Sequence, residues 1–167
     1  MRVRLFIKQK VFSWNDRFTV RDENETDRYF VEGEIFSFGH HLHIYDASHN
    51  EVAYIQQKLL SFKPRYYIFK NGSQVAELVK EFTLFKQKYS FSGLPWSIDG
   101  EFTRHDYSLR DVTDGSVIMT VSRQWFTWGD SYLLDIADGA DEILCLAAVI
   151  AIDCANEDAS RGNRGSF

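Results

Sequence analysis

Ile143-Leu144-Cys145-Leu146-Ala147-Ala148-Val149-Ile150-Ala151-Ile152 is the longest apolar run in the chain. It follows Asp138-Gly139-Ala140-Asp141-Glu142, whose acidic residues suit the cap and the positive end of a helix. The run spans ten residues, whereas a bilayer crossing needs about 20, so it predicts a core helix and no transmembrane segment. A buried strand has a similar composition, but a segment of about 22 Å over 141–155 favours helix. A helix apolar on every side must be surrounded by protein on every side. The rest of the fold therefore has to be a wall.

Upstream of this run the pattern is strand-like. Short segments at 2–10, 16–22, 28–36, 41–46, 51–58, 64–70, 74–81, 86–92, 96–102, 105–111, 116–123 and 130–136 are separated by turn residues. Asn71-Gly72 between Tyr67-Ile68-Phe69 and Val75-Ala76 is the clearest hairpin signal, because a type I′ turn needs positive φ at both central residues. Connections this short make neighbouring strands mostly antiparallel. Aromatic residues make up 16% of the chain and proline occurs twice, a balance that favours pleated, half-buried surfaces. One domain over 1–155 is expected from the 167 residues, with a disordered tail at 156–167, where Ser, Gly, Asn and Arg dominate.

Four eleven-residue stretches echo one another, starting at Arg4, Val52, Val75 and Ile118. Their fourth position is aliphatic (Ile7, Ile55, Leu78, Val121) and their sixth polar (Gln9, Gln57, Lys80, Arg123). Their eleventh is a large aromatic (Trp14, Phe62, Phe85, Trp128). The two-residue strand period puts the second and fourth positions on one face, which is predicted to look inward at the helix. The spacing of the starts suggests two similar halves with two copies each; the plainer reading is that amphipathic strands all resemble one another.

Phe6-Ile7-Lys8-Gln9-Lys10-Val11-Phe12-Ser13-Trp14, Val31-Glu32-Gly33-Glu34-Ile35-Phe36-Ser37-Phe38, Ile55-Gln56-Gln57-Lys58-Leu59-Leu60-Ser61-Phe62, Trp125-Phe126-Thr127-Trp128-Gly129-Asp130 and Ala148-Val149-Ile150-Ala151-Ile152-Asp153-Cys154 resemble the LURP-one-related family, in its bacterial form. The likeness covers about residues 1–155. It implies a mainly β fold like the tubby C-terminal domain and the phospholipid scramblases: a closed antiparallel barrel of about twelve strands around a central hydrophobic C-terminal α-helix. It implies no catalytic residues. Tubby-like relatives bind phosphoinositide headgroups, but no motif here transfers those contacts residue by residue.

The chemistry-bearing residue types form no established motif. His40-His41-Leu42-His43 carries metal-ligand types, but on a strand His41 and His43 share a face that His40 does not, and a metal needs three or four convergent ligands. No metal and no cofactor are expected. Adjacent strand residues project oppositely, so Asp106 is not placed to orient His105, and no nucleophile elbow accompanies the pair. Glu32 and Glu34 share a face, as an acid–base pair would, and as solvated strand carboxylates also do. No glycine-rich phosphate loop is present. Cys145 and Cys154, nine residues apart on a helix, face away from each other and read as buried thiols of a reducing, cytoplasmic setting. No signal peptide is read at the N-terminus, and two glycosylation sequons at Asn24 and Asn71 are taken as coincidence.

Net charge is −5, which disfavours nucleic acid as a partner. It is unevenly spread. Seven basic residues lie between Lys58 and Lys88, against Glu77 and Glu81, while Gln124 to Ser160 holds no Lys or Arg. Lys63 and Arg65 flank Pro64 at the start of one strand, and Lys86 and Lys88 start another. These four are the candidate grip for an anionic phospholipid headgroup at a membrane surface. A solvated face with edge lysines is the plainer reading of the same residues. The function expected is a non-enzymatic binding domain whose ligand is an anionic phospholipid or a protein partner. The alternative is an enzyme whose site no sequence motif reveals.

Overall fold

A computed structural model of the chain describes residues 1–8, 17–34, 38–84, 88–126 and 129–164. Twelve strands come first: β1 (Val3–Lys8), β2 (Arg17–Asp22), β3 (Asp27–Gly33), β4 (His41–Asp46), β5 (Glu51–Lys58), β6 (Arg65–Lys70), β7 (Ser73–Glu81), β8 (Lys88–Ser92), β9 (Trp96–Glu101), β10 (Asp106–Asp111), β11 (Val117–Phe126) and β12 (Gly129–Ile136). A 3-10 turn at Phe102–Arg104 precedes β10, and helix α1 (Glu142–Arg164) follows β12. The strands match the segments read from the sequence closely. The expected strand residues 9–10, 16, 35–36 and 86–87 lie outside the described residues.

β1 to β8 pair in sequence order, as do β9 to β12, all antiparallel, and β1 also pairs with β12. The sheet thereby curls into a nearly closed barrel whose two ends, β8 and β9, form a seam. Phe91 and Trp96 meet edge to face beside it, with ring centroids 6.0 Å apart. Side chains alternate between wall and lumen. Leu5 and Ile7, Ala53 and Ile55, Ala76 and Leu78, and Met119 and Val121 are all buried, so the second and fourth positions of all four repeat copies face the core. The repeat-end aromatic Phe62 is exposed, and Trp14, Phe85 and Trp128 lie outside the described residues.

Helix α1 fills the lumen. Every residue from Cys145 to Ile152 is fully buried, because strands surround it. Asp141 caps its start, accepting a hydrogen bond from the Leu144 amide at 3.1 Å, and Lys70 bonds the same carboxylate. Among the described residues, no helix is long and apolar enough to cross a membrane. Residues 156–164 are not the disordered tail that composition predicts over 156–167; the helix continues through them to Arg164, making α1 about 34 Å long, and 165–167 lie outside the described residues. Among these residues, Arg161 bonds Glu157 one turn back at 2.6 Å, and Asp158 is gripped by the barrel. Composition registered the loss of apolar residues but not those contacts.

In an antiparallel barrel wound in sequence order, successive connections alternate between the two ends. One end holds tight turns. Asp22, Asp46 and Asp111 each accept backbone amide hydrogen bonds from residues just downstream, at 2.8 to 3.0 Å. Asn71 and Gly72 have φ of 50° and 78°, as the type I′ turn requires. The other end carries the connections β3 to β4, β5 to β6, β7 to β8 and β9 to β10, and the C-terminal half of α1 arrives there. We call it the loop end.

Two expectations follow from the enclosed helix. Ala148→Asp buries an unpaired charge against the wall, at about 3–5 kcal/mol, and yields a chain with no cooperative melting transition by circular dichroism. Burial, with Asp141 and Glu142 nearby, pushes the Cys145 thiol up to about 12, and burial, with Asp153 nearby, pushes Cys154 well above its ordinary value. Neither thiol reacts with an aromatic disulfide reagent until denaturant unfolds the barrel.

Candidate functional site

The basic residues singled out in the sequence converge on the outer wall of β5 to β8, just below the loop end. Arg65 leads β6, Lys63 precedes it, and Lys88 opens β8. The register pairs Arg65 with Val79 and Lys88 with Glu81, and Lys63 reaches Glu81, so the three side chains share one face. Lys86 lies outside the described residues. Lys58, at the end of β5, sits 5.9 Å from the centroid of the Tyr67 ring.

These cations are not bare. Lys63 Nζ bonds Glu81 at 2.5 Å, and Arg65 Nη1 bonds Glu77 at 2.6 Å. The bond from Lys63, then that from Ser90, holds the Glu81 carboxyl below its ordinary range, and the nearby charge of Lys88 adds to this. Lys88 itself is exposed. The outcome is a half-neutralised basic wall in which two carboxylates, Glu77 and Glu81, stand among four described cations.

Above this wall, the loop end carries apolar side chains that are exposed. Leu60 is fully exposed, Leu84 is 92% exposed, and Phe38 and Phe62 are each 89% exposed. Phe82 and Leu59 are exposed as well, and Phe62 meets Phe82 edge to face at 5.5 Å. Backbone geometry holds them out: Leu60 adopts φ of 55°, a left-handed conformation that costs a branched residue roughly 1–2 kcal/mol. Ser61 Oγ bonds the Lys63 carbonyl at 2.6 Å, tightening the turn beneath Phe62. The outer strands keep Tyr45, Tyr54 and Phe69 half-buried, as a pleated, half-buried surface requires, and the exposed apolar residues lie in the loops. The overlooked signal was Leu59-Leu60-Ser61-Phe62 and Phe82-Thr83-Leu84, apolar residues where a connection calls for turn formers.

The histidines divide as strand alternation requires. His41 and His43 lie on the outer face, while His40 turns toward Asp158 of the helix at 2.7 Å. His43 is bonded on both nitrogens, to Glu51 at 2.6 Å and Glu34 at 2.8 Å, and Tyr54 bonds His41. Among the described residues no group of three or more His, Cys, Asp or Glu side chains is arranged to hold a metal ion. His105 pairs with Asp153 of the helix at 2.9 Å, not with Asp106, and its ring stacks on Tyr132 at 4.3 Å. Glu32 lies 3.5 Å from Arg17, and Glu34 is engaged with His43, so the two carboxylates face different partners.

A family model described as LURP-one-related matches residues 3–153. The chain belongs to the LURP-one-related family. Within the family it is similar to the uncharacterized protein YxjI of Bacillus subtilis, with 43% identity over 152 residues, covering 90% of this chain and 92% of that one. The X-ray structure of an Arabidopsis thaliana protein superposes with a TM-score of 0.69 at 13% identity, over 93% of this chain and 91% of that one. That likeness is one of fold. The LURP-one-related barrel is thus the scaffold on which the rim of apolar loops and the basic wall are mounted.

The His43 pair carries a pH dependence of known sign. Burial alone lowers its pKa, but hydrogen bonds and charge from Glu34 and Glu51 outweigh that and raise it above the usual value. The pair therefore stabilises the fold below the unfolded histidine value, near pH 6.5, and loses that contribution as pH rises through the folded value. His43→Gln should lower the melting temperature more at about pH 5.5 than at about pH 8.5. Equal losses at both pH values would show that the carboxylates do not hold a proton on this ring.

Proposed function

We propose that this chain is a non-enzymatic binding domain that docks the loop end of its barrel on membrane surfaces rich in anionic phospholipid. The observation carrying this reading is the juxtaposition of six exposed apolar loop residues, Phe38, Leu59, Leu60, Phe62, Phe82 and Leu84, with Lys58, Lys63, Arg65 and Lys88 immediately beneath them. An apolar tip that enters the acyl boundary gains about 1.5–3 kcal/mol per Leu or Phe side chain. A basic group at headgroup depth gains about 1 kcal/mol on an anionic leaflet. Tips above and cations below match that layering, and a protein held this way lies on the membrane without crossing it.

The net charge of −5 does not oppose this orientation. Many of the acidic residues cap turns at the opposite end, including Asp22, Asp46, Asp111 and Asp114. The resulting dipole turns the loop end toward a negative surface. Two buried, unpaired thiols suit a peripheral protein of the reducing cytoplasm.

The test is co-sedimentation with vesicles of phosphatidylcholine alone, with added phosphatidylserine, and with added phosphoinositide, at low and physiological salt. The expected result is retention that requires anionic lipid and weakens with salt. Replacing Lys63, Arg65, Lys86 and Lys88 by Ala should weaken it by roughly fivefold per residue. Leu60→Ser with Phe62→Ser should abolish retention with no loss of melting temperature, because both side chains are already exposed. Absence of retention on every vesicle at both salts would overturn the reading and assign the rim to a protein partner.

A further inference from the structure

Two carboxylates of helix α1, Asp153 and Asp158, each occupy a socket of the same design, a histidine and a tyrosine of the barrel. Asp153 accepts from His105 Nε2 at 2.9 Å and from the Tyr132 hydroxyl. Asp158 accepts from His40 Nε2 at 2.7 Å and from the Tyr66 hydroxyl. The internal repeat accounts for the twinning. Tyr66 and Tyr132 each lie fourteen residues after the start of their repeat copies, Val52 and Ile118. They face the sixth positions of those copies, Gln57 and Arg123, across the ladder. His40 and His105 stand immediately before β4 and β10, the fourth strand of each half. Five residues along a helix turn by about 140°, so the two carboxylates look toward different parts of the wall.

The sockets differ in one respect. At Asp158, Gln57 joins: its Nε2 donates to Asp158 Oδ2 at 3.0 Å, and its Oε1 accepts the His40 amide at 3.1 Å. The Gln57 amide in turn donates to the His40 carbonyl at 2.8 Å. This network reaches two apolar tips. His40 follows Phe38-Gly39, and Gln57 precedes Leu59-Leu60-Ser61-Phe62. The two loops also touch, since a Cβ on Gly39 would come within 3.0 Å of Leu59 Cδ2. None of the described contacts of the Asp153 socket involves those tips.

We infer that Asp158 is a positioning residue for the docking rim, fastening the β3–β4 and β5–β6 connections to the helix so that Phe38, Leu59, Leu60 and Phe62 are presented together. This rests on the membrane-docking reading for its purpose and on the hydrogen-bond network for its mechanism. Three donors, from His40, Gln57 and Tyr66, converge on two carboxylate oxygens. An asparagine offers one acceptor, and its amide nitrogen opposes a donor.

The experiment compares Asp158→Asn with the matched change in the other socket, Asp153→Asn. Residue-resolved amide exchange and retention on phosphatidylserine vesicles are read in the full chain. Asp158→Asn should speed exchange at the His40 and Gln57 amides by about tenfold or more and cut retention several-fold. Asp153→Asn, a comparable loss of buried hydrogen bonds, should leave those two amides and retention unchanged at temperatures where both variants remain folded. If Asp158→Asn fails to fold, Gln57→Leu replaces it, with the same expected acceleration at His40. Unchanged exchange at these amides, equal acceleration by Asp153→Asn, or accelerated exchange with undiminished retention would each overturn the inference. A wild-type chain that binds no vesicle overturns the docking reading instead. Fastening of the loops by Asp158 is then decided by exchange alone.

Discussion

Enclosure of the helix is the constraint on which the rest of the structure depends. Leu146 to Ile152 leave no face fit for water, so the chain must surround them completely. A single sheet does this if it curls until its ends approach, and twelve strands leave a lumen wide enough for a helix. Small residues at Ala147, Ala148 and Ala151 let the strands come close. The wall then has little freedom. Its lumen positions are filled by Leu, Ile, Val, Met, Tyr, Phe and Ala, and its edges are reduced to a seam between the short β8 and the exposed β9.

Closing the barrel makes two ends with different chemistry. At one, Asp side chains satisfy the amides of tight turns, an arrangement that serves the fold and needs no other explanation. At the other, Leu60 is held in a costly backbone conformation with its side chain in water, and Phe38, Phe62 and Leu84 are likewise bare. Folding gains nothing from these exposures. Local departures from the rules that favour stability concentrate where function is. Here they adjoin a wall of cations in which Lys63 and Arg65 are matched by Glu81 and Glu77.

The polar second half of α1 has a related role. Burying Asp153 and part of Asp158 carries a desolvation cost, and such groups earn their place by specifying geometry more than by adding stability. A purely apolar helix in a roughly cylindrical lumen could rotate or slide. Two carboxylates matched to two His–Tyr sockets define one rotation and one depth. The two sockets fall at matching positions of the sequence echo, and one of them includes Gln57 and thereby reaches the neighbouring loops.

Local periodicity carried much of this. Alternation of Leu5 with Ile7 and of Ala53 with Ile55 told which face was inward, Asn71-Gly72 located a turn, and the ten-residue apolar run demanded enclosure, because each depends on near neighbours in the chain. The family likeness named the architecture that meets these demands. Closure of β1 on β12, the pairing of Lys63 with Glu81 and Arg65 with Glu77, and the union of His40, Gln57, Tyr66 and Asp158 were decided only by the tertiary structure. His40 and Asp158 are 118 residues apart. Their meeting depends on how far the helix extends and how deeply it sits, which no local pattern encodes. The exposure of Leu60 and Phe62 was likewise beyond composition, since an apolar residue reads as core until the wall is closed and it is found outside.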